Sequence, residues 1–95
     1  MGPPRRFLAI NDLPGATAAE VRGRFERLVE EGRALGLRPV ETFYSLERGR
    51  AYTYVEGDAE DHVRAMCAAA GLPVVDVVPG ERLYTELLDE PKRYR

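Results

Sequence analysis

Apolar positions along this chain come in two rhythms, and their order predicts six elements. Phe7–Ile10 is apolar throughout and reads as a short strand. Asn11-Asp12-Leu13-Pro14-Gly15-Ala16 follows as a Pro-Gly turn, and Thr17-Ala18-Ala19-Glu20 has the form of a capping box, in which hydroxyl and carboxylate each accept a backbone N–H. Val21, Phe25, Leu28, Val29 and Leu35 then recur at helical spacing up to Gly36, a left-handed stop, which predicts a helix over about residues 18–35. Beyond Arg38-Pro39, Val40, Thr42, Tyr44 and Leu46 alternate with Glu41, Phe43 and Ser45, the pattern of a strand. Glu47-Arg48-Gly49-Arg50 has hairpin-turn composition, and Ala51–Glu56 is the next strand, with Tyr52 and Tyr54 on a shared side. Asp58 is the expected N-cap of a second helix, with Asp61 near the positive end of its dipole. Ala59, Val63, Met66, Cys67 and Ala70 form the inward stripe, and Gly71-Leu72-Pro73 ends that helix. Val74–Val78 and Leu83–Leu88 flank Pro79-Gly80; one of them is the last strand, and the pattern does not choose between them.

Strand, helix, strand, strand, helix, strand is the split βαβ, or ferredoxin-like, order of an α+β protein: an antiparallel four-stranded sheet with two helices on one face. A chain of 95 residues has the length of one such domain, with loose ends expected at about residues 1–5 and 89–95. It is too short to cover the other sheet face. Both faces of the hairpin carry apolar side chains, and an exposed apolar sheet promotes aggregation, so a homodimer is expected in which two sheets face each other as an α/β barrel.

Composition narrows the partners. The hydrophobic fraction is 44%, the charged fraction 32% and the net charge −2, so no bulk attraction to nucleic acid or to an anionic membrane is expected. Arg5-Arg6 and Lys92-Arg93-Tyr94-Arg95 are read as solvated ends. No apolar run approaches the roughly 20 residues that span a bilayer, and no signal-peptide-like stretch follows the first residues. Cys67 is the only cysteine, which excludes an internal disulfide and fits a reducing cytoplasm.

Phe7-Leu8 with Asp12-Leu13-Pro14-Gly15-Ala16, Gly49-Arg50 with Tyr54-Val55-Glu56, and Ala70-Gly71-Leu72-Pro73 together resemble a family of small bacterial ferredoxin-like domains of largely unknown function that includes a nickel-binding homodimer. The resemblance runs from about Phe7 to Val78. It implies the fold, dimerisation and binding of nickel or another divalent transition metal. The family pattern has a Glu late in strand one, a Cys in strand three and a His in the second helix, where this chain has Ile10, Thr53 and Met66. The resemblance therefore implies an altered metal site.

Two groups of residues are candidates for chemistry. His62, the only histidine, and Met66 lie four apart on the second helix, Cys67 is on the neighbouring stripe, and Glu56 closes the preceding strand; these are donor types for a borderline metal. The bland alternative places His62 on a polar face and Met66 and Cys67 in the core. The second group is Asn11, Tyr52 and Tyr54, with Tyr44 nearby, as the lining of a ligand pocket. Such a pocket would suit a cofactor-independent isomerase, cyclase or monooxygenase acting on a small hydrophobic substrate; strand aromatics also serve as plain sheet packing. Asn11–Gly15 lacks the glycine spacing of a phosphate loop, and Cys67 has no base placed to activate it as a nucleophile. A metal- or ligand-binding protein, an enzyme and a structural or interaction module are the three functions left open.

Overall fold

Burial alternates strictly along the first strand, and that alternation places everything else. Phe7, Ala9 and Asn11 are buried while Arg6, Leu8, Ile10 and Asp12 are only partly covered, so β1 (Arg5–Asp12) has one face in the core and one outside it. The computed structural model describes residues 5–83. Its elements run β1, α1 (Ala18–Ala34), β2 (Arg38–Ser45), β3 (Arg50–Gly57), α2 (Glu60–Ala69) and β4 (Val74–Pro79). The strands form one antiparallel sheet in the order β2-β3-β1-β4. This is the ferredoxin-like α+β arrangement that the element order predicts.

The strands are longer than their apolar runs. Hydrogen bonding carries β1 over Arg5 at one end, a residue assigned above to a loose lead-in, and to Asp12 at the other, where Asp12 Oδ1 meets Arg50 Nε of β3 at 2.7 Å. The last strand is the first of the two candidates; Leu83 lies in no strand, and the remainder of Leu83–Leu88 falls outside the described residues, as do the expected loose ends at 1–4 and 89–95.

Local chemistry sets the helix ends. Leu13-Pro14-Gly15-Ala16 closes as a turn, with the Ala16 N–H on the Leu13 carbonyl and Gly15 at φ 67°, where a side chain would be strained. The capping box is formed: the Glu20 N–H donates to Thr17 Oγ1 at 3.2 Å, and the Thr17 N–H donates to Glu20 Oε1 at 3.0 Å. Both helices end in the same paired-bond motif. Gly36 and Gly71 take positive φ, and the buried Leu37 and Leu72 that follow donate back to the carbonyls of Gly32 and Cys67. Asp58 is not the N-cap of α2. Ala59 holds that position without a side-chain bond, and the Asp58 carboxylate turns to the His62 ring instead.

Val21 and Leu28 of α1, and Val63, Met66 and Cys67 of α2, close over Phe7, Ala9, Ala51, Val55 and Val77 of the sheet. Gly32 lets the helices approach, since a Cβ there would lie 2.7 Å from Met66 Sδ. No described helix lies on the opposite face. Register arranges it in three transverse rows: Arg6–Glu56–Arg38; Val78–Leu8–Tyr54–Glu41; and Asp76–Ile10–Tyr52–Phe43. No described helix is long and apolar enough to cross a membrane.

Candidate functional site

The four metal candidates occupy three separate places. Glu56 lies on the open face, paired with Arg6 at 3.5 Å and Arg38 at 3.3 Å. His62 is on the outer side of α2, with Nδ1 2.9 Å from Asp58 Oδ1. Met66 and Cys67 are fully buried between helix and sheet. The reason is periodicity. Glu56 alternates away from the core face of β3 that α2 covers, while on α2 the stripe holding Met66 and Cys67 turns inward and leaves His62 outside. Among the described residues no three His, Cys, Asp or Glu side chains come together as metal ligands.

The pocket trio is divided as well. Asn11 pairs in register with Ala51 on the helix side, whereas Tyr52 and Tyr54 alternate to the open face, so the sheet itself stands between them. Asn11 is fully buried and fully engaged. Its Nδ2 donates to the carbonyls of Leu72 at 3.4 Å and Pro73 at 3.2 Å, and its Oδ1 faces Cys67 Sγ at 4.0 Å. Burial pushes the Cys67 thiol pKa up, opposed weakly by that contact. Asn11 thus joins β1 to the α2–β4 connection, beside the register shift between Ile10 and Asn11.

Tyr44 alternates to the helix side, into a cleft of about 730 Å³ between α1 and the edge strand β2. Val21, Phe25, Val29 and Thr42 line it further. The Thr42 hydroxyl there is matched at 2.9 Å by that of Thr53.

The open face is different. Past β4 the ladder runs on by one bond, the Gly80 N–H on the Arg6 carbonyl, and the side chains of Glu81, Arg82 and Leu83 then lie over the face, making Gly80–Leu83 a strap. Arg82 reaches over the Tyr54 ring, 5.0 Å from its centre, to bond Glu41 Oε1 on β2 at 2.7 Å. Under the strap lies a cleft of about 380 Å³ walled by Leu8, Tyr54, Val78 and Leu83. The Tyr54 hydroxyl is buried and has no hydrogen-bond partner among the described residues. Such a group bears the cost of lost hydration uncompensated. The strap leaves the neighbouring row open, where Phe43 is 71% exposed and its ring lies 6.4 Å from that of Tyr52.

Tyr52 and Tyr54 were legible as candidates from strand alternation. Leu8, Val78, Glu41 and Arg82 were not, because only sheet order and the path of the chain after Pro79 bring them together. The Pro79-Gly80 pair was the available signal that the strand ends there.

Fold and site together describe a ferredoxin-like α+β domain with a strapped, half-open sheet face. The structure is similar to the crystal structure of SCO4226 from Streptomyces coelicolor A3(2), with a TM-score of 0.75 and 12% sequence identity over 83% of this chain and 99% of that one. At that identity the likeness is one of fold. No family model matches the chain, and no curated protein matches it in sequence.

Proposed function

We propose that this protein is a homodimeric small-ligand-binding domain that works on the open face of its sheet. The observation carrying this reading is that face itself. Leu8, Ile10, Phe43, Tyr52, Tyr54 and Val78 form a continuous apolar surface that neither helix covers, bordered by the Arg6–Glu56–Arg38 row. A second copy, laid on the uncovered Phe43–Tyr52 end by two-fold symmetry, removes that surface from water and encloses the strapped cleft. A reducing cytoplasm as its compartment belongs to the same reading, supported by the unpaired Cys67.

Light scattering at tens of micromolar tests the assembly. The expected result is a dimer that Phe43→Glu converts to a monomer with an unchanged circular dichroism spectrum. A monomeric parent protein would remove the assembly from the proposal.

Metal binding is a second reading, and one observation favours it. The Asp58 carboxylate beside His62 Nδ1 leaves Nε2 as the nitrogen available to a cation, the orientation in which carboxylates commonly hold metal-binding histidines. One such side chain per copy requires further donors from a second copy. Nickel, cobalt or zinc then raises the melting temperature by mass action, and His62→Ala abolishes the rise. A rise that persists in His62→Ala excludes His62 as a ligand.

A further inference from the structure

We propose that the cleft beneath the Gly80–Leu83 strap takes an uncharged, flat apolar molecule bearing one hydrogen-bonding oxygen, with the Tyr54 hydroxyl as the group that selects it. This rests on the small-ligand reading above and adds the chemistry of the ligand.

Three features of the cleft converge on that class. Leu8, Val78 and Leu83 give it apolar walls, and the space of about 380 Å³ is ample for two fused rings. Its charges are matched within the protein. Arg82 Nη2 meets Glu41 Oε1 at 2.7 Å, and Arg6 meets both Glu56 and Glu81, at 3.5 Å and 3.3 Å. A ligand ion therefore has to break an existing pair or bury its charge unmatched. The third feature is the Tyr54 hydroxyl, removed from water yet bonded to nothing among the described residues. A carbonyl or hydroxyl oxygen brought to it supplies the missing bond, whereas a hydrocarbon leaves the deficit in place.

The hydroxyl has no contact with solvent, so the ligand reaches it only by moving the atoms that cover it. The strap is suited to this. Its polar fastenings include the Gly80 N–H on the Arg6 carbonyl, the Glu81–Arg6 pair and the Arg82–Glu41 pair, and Arg82 rests over the Tyr54 ring. Arg82 lies in no strand, so its side chain can shift on the Tyr54 ring without breaking the sheet ladder.

Naphthol, naphthalene and naphthoate share one ring system and differ in the group they carry, so titrating each into the intact protein and following ligand fluorescence separates the terms. Naphthol should bind about tenfold tighter than naphthalene, the size of one net hydrogen bond, and naphthoate weaker than naphthol. Tyr54→Phe should bring naphthol down to the naphthalene level and leave naphthalene unchanged. Val78→Trp, which fills the cleft from an edge strand, should weaken all three. Equal binding of naphthol and naphthalene, or a naphthol preference that survives Tyr54→Phe, overturns the role of Tyr54 while the ligand reading stands. Tightest binding by naphthoate overturns the uncharged class. Binding unaffected by Val78→Trp overturns the location. Failure of all three probes overturns the ligand reading together with this inference, leaving the dimer to be judged by light scattering alone.

Discussion

The carboxamide of Asn11 donates to the carbonyl of Pro73 at 3.2 Å, 62 residues away in sequence. The same carbonyl accepts the Asp12 N–H at 3.0 Å. A strand and the connection leaving α2 are thereby fastened at one point, with Asn11 fully buried behind it. A polar strand residue that looked available to a ligand is committed to holding the fold.

Asn11→Ala removes the side-chain donor from the Leu72 and Pro73 carbonyls, the first of them in a buried bond, and leaves space behind, so it should lower stability by about 2–3 kcal/mol in urea denaturation. Asn11→Asp tests the same point with a sign. A carboxyl buried against carbonyl oxygens has its folded pKa raised above the ordinary value of about 4. Its stability is then fully present below about pH 4 and is lost as the pH rises through the folded value. A deficit relative to the parent that is larger in acid than at neutral pH would contradict the hydrogen-bond assignment.

Cys67 is fully buried, and its thiol pKa is raised by burial. Labelling with a thiol reagent at neutral pH should be slow in native protein and fast in denaturant. Leu72→Ala, which loosens the cover at the end of α2, should speed it. Fast labelling of the native protein would show that the helix does not close over the sheet as described.

Glu20 has its pKa lowered first by the Thr17 backbone N–H and then by the Thr17 side chain; desolvation opposes them, and the Arg24 charge adds a smaller lowering. A depressed carboxylate contributes stability above its unfolded pKa of about 4.3 and loses it as the pH falls through the folded value. The stability gap between the parent and Glu20→Ala should therefore be present at neutral pH and shrink in acid. Thr17→Ala should destabilise by about 1 kcal/mol.

Tyr54→Phe should leave the unliganded protein equally stable or up to about 1 kcal/mol more stable, because the hydroxyl it deletes is buried without a partner among the described residues. A clear loss of stability in thermal unfolding would mean that the hydroxyl has a partner after all, and the selection argued for it would fail.

The elements were largely legible. Thr17 with Glu20 marked the start of the first helix, Gly36 and Gly71 marked both ends, and the alternation at Tyr52 and Tyr54 marked a two-faced strand. The errors lie where neighbours outvote the local signal. Asp58 has the side chain of an N-cap, but the ring of His62 one turn on takes its carboxylate. Arg5 looked like part of a tail, yet its pairing with Gly57 extends the sheet.

The candidate site was less legible, because it depends on which face a side chain takes relative to residues far along the chain. Glu56 is near α2 in sequence, but alternation in β3 turns it away from Met66 and Cys67 and toward Arg6 and Arg38. Asn11 and Tyr52 belong to adjacent strands on opposite sides of the sheet.

Sequence alone determined the six-element order and the helix stops, since capping, turn formation and amphipathic period are contacts within a few residues. Tertiary structure decided that β1 and β3 are the central strands, that Asn11 is spent on Leu72 and Pro73, and that Arg82 is drawn across the open face to Glu41. Those outcomes are contacts between residues separated by tens of positions, and no periodicity within one segment encodes which distant partner it meets.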